Sequence, residues 1–117
     1  MGPEEFRAAT NVSRETLVHL EIFAQILTHW QSRINLVGAR ELDALWHRHM
    51  LDSAQLCDQM PAALKTITDF GSGGGFPALV LAIMLGADTH VIEANGRKCA
   101  FLREAARETD APVEVHH

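Results

Sequence analysis

The feature of this sequence that most restricts its fold is a glycine-rich stretch, TDFGSGGGFPALVLAI, at residues 68–83. Four glycines fall within the five positions 71–75, between a short β-branched and aromatic run and a longer apolar run. Glycine accepts positive φ angles and leaves room for another molecule beside the main chain. A glycine turn that joins a strand to a helix also gathers unpaired backbone N–H groups around a crevice. The stretch therefore predicts a strand, a small-molecule site and a helix, in that order.

The chain around this stretch alternates between strand-like and helix-like segments. The segments are KTITDF, FPALVLAIML, THVIEA, GRKCAFLREAARET and APVEVHH, which favour strand, helix, strand, helix and strand. Such alternation builds a parallel sheet with right-handed crossovers. We therefore predict an α/β fold in which residues 63–117 form the first βαβαβ half of a Rossmann-like sheet.

Residues 1–62 read as a helical region that precedes this sheet. Ser13 is a suitable N-cap for an amphipathic helix, and a second helical stretch begins near Glu41 and ends before Pro61. The apolar residues of the two stretches recur at helical spacing, and we expect them to be buried: Leu17, Leu20, Ala24, Leu27 and Trp30 in the first, and Leu42, Leu45, Trp46 and Leu51 in the second. The sequence thus predicts a helical cap on the sheet.

Length and composition restrict the class of protein further. A chain of 117 residues holds one domain at most. Three parallel strands are few for a sheet that needs cover on both faces, so we expect the front part of a longer domain. The two cysteines, Cys57 and Cys99, are too few for a disulfide scaffold, and the longest apolar run, 76–85, is too short to cross a membrane. We expect a cytoplasmic protein with reduced thiols and no membrane partner.

Three classes of ligand use a glycine turn of this kind, and the spacing of the glycines separates them. A phosphate P-loop requires Lys followed by Ser or Thr after the last glycine, whereas Phe76-Pro77 follows here. The dinucleotide fingerprint requires a third glycine where this chain has Phe76. The remaining pattern, Asp-x-Gly-x-Gly-x-Gly, is formed by Asp69, Gly71, Gly73 and Gly75 and is typical of class I methyltransferases that bind S-adenosylmethionine.

The residues around the turn suggest individual contacts. Glu93 ends the second strand-like run, 22 residues after Gly71, a separation at which an acidic side chain reaches ribose hydroxyls. Asp69 has two candidate roles, which are to accept from the methionine amino group or to hold the turn. Phe76 either shields the methionyl portion or is a core aromatic. Ser72 completes the predicted cofactor-binding turn.

Four stretches together resemble the RsmG/GidB family of bacterial 7-methylguanosine methyltransferases of small-subunit (16S) ribosomal RNA. These are HWQSRINLVGAR, HRHMLDS, DFGSGGGFP and EANGRKCAFLRE, and the similarity extends from about Leu17 to the end of the chain. The resemblance implies S-adenosylmethionine as cofactor, 16S ribosomal RNA or the small subunit as partner, and cofactor contacts at Gly71 and Phe76. It also implies that further cofactor contacts lie beyond His117, because members of the family are nearly twice as long.

The HRHMLDS segment contributes three more candidates near the site. On a regular helix Arg48 and Asp52 would form an ion pair, and His49 would point toward the glycine crevice. These residues have a structural role with some site contact, or they contact the RNA phosphate, or they shape the methyl-transfer pocket. His47 and His49 face different ways, so no metal site is expected. Two other classes stay open: a dinucleotide-binding domain, and a noncatalytic module that binds no cofactor.

Overall fold

Helices form the first half of the chain in the computed structural model, which describes residues 1–71 and 73–117. In chain order the helices are α1 (Pro3–Thr10), α2 (Arg14–Gln31), α3 (Ala39–Asp43) and α4 (Asp52–Gln55), with a π-helical turn at Trp46–Leu51 and a 3₁₀ turn at Leu56–Gln59. The second half contains β1 (Thr66–Phe70), α5 (Ala78–Leu85), β2 (Asp88–Ile92), α6 (Gly96–Glu108) and β3 (Val113–His116). The fold is α/β with a helical N-terminal region, as predicted.

The three strands form one parallel sheet in the order β1-β2-β3. In the register of the first pair, Thr66 lies opposite Asp88 and Phe70 opposite Ile92. In the second pair, Thr89 lies opposite Val113 and Ile92 opposite His116. All three strands therefore end at the same edge of the sheet, where ligands bind in open α/β sheets.

The start of the long helix α2 follows the expected capping chemistry. The Ser13 side chain accepts a hydrogen bond from the backbone N–H of Thr16, which satisfies one of the unpaired donors of the first turn. Leu17, Leu20 and Leu27 are buried, as their spacing indicates, and Phe23 joins them on the same face. The predicted helix is observed, although Ala24 and Trp30, which were also expected to be buried, are only partly buried.

Two parts of the helical region differ from the prediction. The sequence pattern did not reveal α1, because its one buried residue, Phe6, gives no apolar periodicity. The second stretch is also divided into short pieces. One of them is the π-helical turn, which shifts the buried face away from regular helical spacing. Met50 is fully buried as a result, whereas Leu42, Trp46 and Leu51 are only partly buried.

One hydrophobic core joins the helical region to the sheet. The core includes residues from α1, α2, α5, β2 and α6, with Phe6, Phe23, Leu79, Val91 and Phe101 among its fully buried members. Helices cover only one face of the sheet. On the opposite face Phe70 is 74% exposed and Ile92 is 39% exposed.

The glycine turn packs tightly against the helical region. Gly75 has φ +90°, and a methyl group added to it would lie 3.0 Å from Cζ of Phe23. A methyl group on Gly74 would lie 3.0 Å from the carbonyl oxygen of Leu36. These two glycines therefore let the turn approach α2 and the segment that follows it.

Two further expectations from the sequence concern membrane crossing and the cysteines. Within the described residues, no helix has the length and hydropathy that a membrane crossing requires. Cys57 and Cys99 are both free thiols, and no disulfide joins them.

Gly75→Ala tests the close packing of the turn. We expect it to lower the free energy of unfolding by about 1–3 kcal/mol more than Gly86→Ala, because it overpacks the contact with Phe23. Gly86 is the matched control, since it also has positive φ but faces open space. Urea unfolding of both variants measures the difference. Equal losses would show that the backbone angle alone requires glycine at position 75.

Candidate functional site

The site lies where β1 and β2 end side by side. The backbone N–H of Gly71, the first residue after β1, donates to the carbonyl of Ile92 at 2.7 Å. Glu93 follows Ile92 directly, so the register that pairs Phe70 with Ile92 also places the glycine turn beside Glu93. Parallel pairing thus brings together two features that are 22 residues apart in the sequence.

The carboxylate of Glu93 ties the glycine turn to the end of β2. One oxygen, Oε1, accepts from the backbone N–H of Gly73 at 3.1 Å, and Oε2 accepts from that of Asn95 at 2.9 Å. The side chain is largely buried, with the residue only 8% exposed. The Cys99 thiol, in α6, donates to the Glu93 carbonyl at 3.2 Å and holds the main chain of this residue in place.

Hydrogen bonding determines the charge state of this carboxylate. The bond from the Asn95 N–H, with a further one from Gly73 and the charge of Lys98, lowers the pKa of Glu93 below its usual value, although burial opposes the shift. The side chain is therefore a carboxylate at neutral pH and presents a negative charge to the crevice.

The four glycines of the turn divide into two pairs by what surrounds them. Gly74 and Gly75 are buried against the helical region, as described above. Gly71 and Gly73 have φ +70° and +54°, and among the described residues other than the chain neighbours of each glycine, no atom lies within 4 Å of a methyl group added there. The open pair leaves free space beside the backbone at the carboxyl end of β1, which fits the approach of a nucleoside ligand.

Two further residues of the predicted turn are Asp69 and Ser72, of which the structure describes Asp69. Asp69 is partly buried on β1, opposite Val91 in the register. It lies one residue before the end of the strand, so its side chain is near the turn, and both roles proposed for it stay predictions. Ser72 lies outside the described residues.

Phe76, at the exit of the turn, packs on two aromatic rings. Its ring centroid lies 5.3 Å from that of Phe23 and 4.8 Å from that of His49, on which it stacks. Phe76 is only partly buried, so it is both a core contact and part of the surface near the turn.

The three residues predicted from the HRHMLDS segment lie together beside Phe76. Arg48, His49 and Asp52 line a shallow cleft of about 220 Å³ together with Phe76 and Pro77. The segment is therefore placed against the exit of the glycine turn. The roles predicted for the three residues stay predictions.

The expected pairing within this segment is not observed. Among the ion pairs of the described residues there is none between Arg48 and Asp52. The reason is that Arg48 lies in the π-helical turn, where residues four apart no longer stack above one another as in an α-helix.

Glu41, which the sequence did not single out as a site residue, lies within ion-pair distance of His49 instead. Oε2 of Glu41 lies 3.4 Å from Nε2 of His49 and accepts from the backbone N–H of Gly38 at 3.0 Å. The Gly38 hydrogen bond, followed by the contact with His49, lowers the pKa of Glu41. No sequence signal identifies this contact, because α3 and the π-helical turn meet through a break in the helix.

Glu93→Gln tests the link between the turn and β2. The amide of glutamine has one acceptor oxygen, so the N–H of either Gly73 or Asn95 loses its partner. We expect the variant to lose about 1–3 kcal/mol of unfolding free energy at pH 7, measured by urea unfolding.

The effect of Glu93→Gln depends on pH in a direction that follows from the lowered pKa. The folded-state pKa is below the unfolded one, so the stability that Glu93 contributes is complete above about pH 4.3. It is lost as the pH falls through the folded-state pKa. A wild-type advantage over the variant that stays constant from pH 7 to pH 2.5 would contradict this account.

Comparison with known proteins shows which family the sequence matches. The family described as rRNA small subunit methyltransferase G matches residues 16–117. A relative from Paramagnetospirillum magneticum, named Ribosomal RNA small subunit methyltransferase G, is 53% identical over 115 residues, which are 98% of this chain and 56% of the relative.

Relatives with the same name occur in other bacteria. The protein of Rhodospirillum rubrum is 52% identical over 99% of this chain and 58% of its own length, and that of Gluconobacter oxydans is 54% identical over 91% and 54%. The chain spans about half the length of the curated relatives it matches. With the family matched over residues 16–117 and with identities above 50%, the chain belongs to the small-subunit ribosomal RNA methyltransferase G family.

Proposed function

We propose that this chain forms the nucleoside-binding part of an S-adenosylmethionine-dependent methyltransferase that modifies N7 of a guanine in small-subunit ribosomal RNA. The observation that carries the proposal is the open space at Gly71 and Gly73 beside the buried carboxylate of Glu93. The names of the relatives support ribosomal RNA as the substrate. An enzyme with this substrate works in the cytoplasm.

Glu93 has the capacity to bind ribose while it holds the turn. A carboxylate offers about four lone-pair positions, and the N–H groups of Gly73 and Asn95 use two of them. One acceptor position per oxygen is left for the two ribose hydroxyls. The same two bonds fix the orientation of the carboxylate before the ligand arrives, which lowers the entropy lost on binding.

The residues near the exit of the turn would complete the pocket. Phe76 stacks on His49 and is only partly buried. Its exposed part is an apolar wall for the methionyl portion. Arg48 is exposed in the adjoining cleft and carries the positive charge that an RNA phosphate requires. We propose that the guanine enters from this side.

The proposed methyl transfer places few demands on acidic and basic side chains. S-adenosylmethionine supplies an electrophilic methyl group on a sulfonium. Guanine N7 has an in-plane lone pair and no proton, so no general base is required. The task of the chain is then to hold the reacting atoms in line and to exclude water.

Titration calorimetry with S-adenosylhomocysteine and with NAD tests the proposed ligand. We expect the chain to bind S-adenosylhomocysteine and to give no heat with NAD. We also expect Gly71→Val to weaken binding at least about tenfold, because its side chain would fill the open space at the turn. Gly86→Val is the matched control, since that glycine has a similar φ angle and lies outside the site.

The other outcomes of this titration have distinct meanings. Binding of NAD alone would favour the dinucleotide-binding class, and binding of neither ligand would favour the noncatalytic module. A 2′-deoxyribose analogue of S-adenosylhomocysteine isolates the role of Glu93. The wild type should bind it about tenfold or more weakly than the parent, and Glu93→Gln should discriminate far less. Equal discrimination by both proteins would remove the ribose contact from the proposal.

Transfer of a labelled methyl group to unmodified small ribosomal subunits tests the reaction. We expect the label to be recovered as 7-methylguanine after hydrolysis of the RNA. Label at another position would contradict attack by N7. Binding of S-adenosylhomocysteine without any transfer would restrict the proposal for this chain to cofactor binding.

A further inference from the structure

Two histidines and a glutamate meet on the open face of the sheet. His90 on β2 lies opposite Glu114 on β3, and His116 lies two residues further along the same strand. Because side chains alternate between faces along a strand, all three project from the same side. This is the face that the helices leave uncovered.

The ligand atoms of this group are close enough to share one ion. Nδ1 of His90 lies 3.0 Å from Nε2 of His116 and 3.8 Å from Oε2 of Glu114. One ligand atom from each of the three residues lies within 4.8 Å of the other two. A tetrahedral Zn²⁺ ion with bonds of 2.0–2.1 Å sets its ligand atoms about 3.3 Å apart. Shifts of a few tenths of an ångström to about one ångström bring these side chains to that geometry.

A fourth residue supports the orientation of His90. Its second ring nitrogen, Nε2, lies 3.3 Å from Oδ2 of Asp88, two residues earlier on β2. Histidines that bind metals characteristically donate their other ring N–H to a carboxylate, which fixes the tautomer and leaves the ligating nitrogen unprotonated. With His90 protonated on Nε2, Nδ1 presents its lone pair toward Glu114 and His116.

The charges of the group also favour a cation. Two carboxylates, Asp88 and Glu114, lie beside two imidazoles, and the described residues contribute no lysine or arginine ion pair to either carboxylate. The two histidine rings stack with their centroids 5.3 Å apart and share one hydrogen bond. A metal ion would replace the proton of that hydrogen bond.

We propose that His90, Glu114 and His116 bind a divalent transition metal of the Zn²⁺ type, with Asp88 as the outer carboxylate and solvent in the fourth position. Two imidazoles and a carboxylate suit Zn²⁺, whereas Mg²⁺ prefers oxygen ligands alone. In the sequence, neither the two cysteines nor the pair His47 and His49 indicated a metal site, and none was expected. This group was missed because its members come together only when β2 and β3 pair.

Metal titration of the whole chain tests the site. We expect one equivalent of Zn²⁺ to bind in competition with a chromophoric chelator, and Mg²⁺ at millimolar concentration not to compete. Co²⁺ should give the intense visible absorption of a tetrahedral site. Asp88→Asn should weaken Zn²⁺ binding about 10- to 100-fold through the orientation of His90. His116→Ala and Glu114→Gln should weaken it further.

His117→Ala is the matched control, because His117 is the next histidine in the chain but contacts the Ala94 carbonyl instead. It should retain wild-type affinity. Circular dichroism of each variant, recorded without metal, shows that a loss of binding is not a loss of folding; Glu114 and His116 are exposed, so their replacement is expected to be tolerated. Equal Zn²⁺ affinity in wild type and His116→Ala, or an equal loss in His117→Ala, would overturn the proposal.

Discussion

The close approach of the glycine turn to α2 is the contact on which the rest of the arrangement depends. Phe23 fills the space where a side chain at Gly75 would lie, and its ring also packs on Phe76 and Phe101. A single aromatic side chain thus connects the helical region, the turn and α6. Because packed interiors deform little, this contact sets the distance between the turn and α2. The turn is held on the side of Gly74 and Gly75, whereas its other pair, Gly71 and Gly73, does not pack against α2.

Glu93 has one function that the structure shows and a second that remains a proposal. The separation from Gly71 predicted a ribose contact, whereas the structure shows the carboxylate bound to the turn itself through the Gly73 N–H. These functions are compatible, since a carboxylate has more acceptor positions than two N–H groups use. A residue that organises the turn and also faces the crevice couples the shape of the site to its charge.

The βαβαβ half of the fold could be predicted from the sequence because its signals are local. Alternating runs of strand and helix pattern, separated by glycine turns, identify each element within a few residues. The division of residues 39–59 into short pieces could not be predicted. The π-helical turn buries Met50, whose position does not follow the regular helical spacing of the apolar residues. The contact of Glu41 with His49 depends on that irregular turn and was missed with it.

The site shows the same division between local and long-range information. Spacing identified the glycine turn and Glu93, which the structure brings to one edge of the sheet, and the family resemblance identified the segment with His49, which packs against the exit of the turn. The sequence could not show which glycines face open space and which face the helical region, since that depends on how α2 and the segment after it pack. Nor could it reveal His90 beside His116, because cross-strand register is decided by the pairing of β2 with β3.

The sheet has two edge strands, each paired on one side only, and one face that the helices leave bare. Within the described residues, β1 and β3 each pair with β2 alone, so their outer backbone groups are available to a further strand. The bare face carries Phe70 and Ile92, both apolar and exposed. Such a surface favours intermolecular strand addition, and the histidines and carboxylates of β2 and β3 are the polar residues that interrupt it. The tendency of this chain to self-associate in concentrated solution therefore depends on what covers that face and those edges.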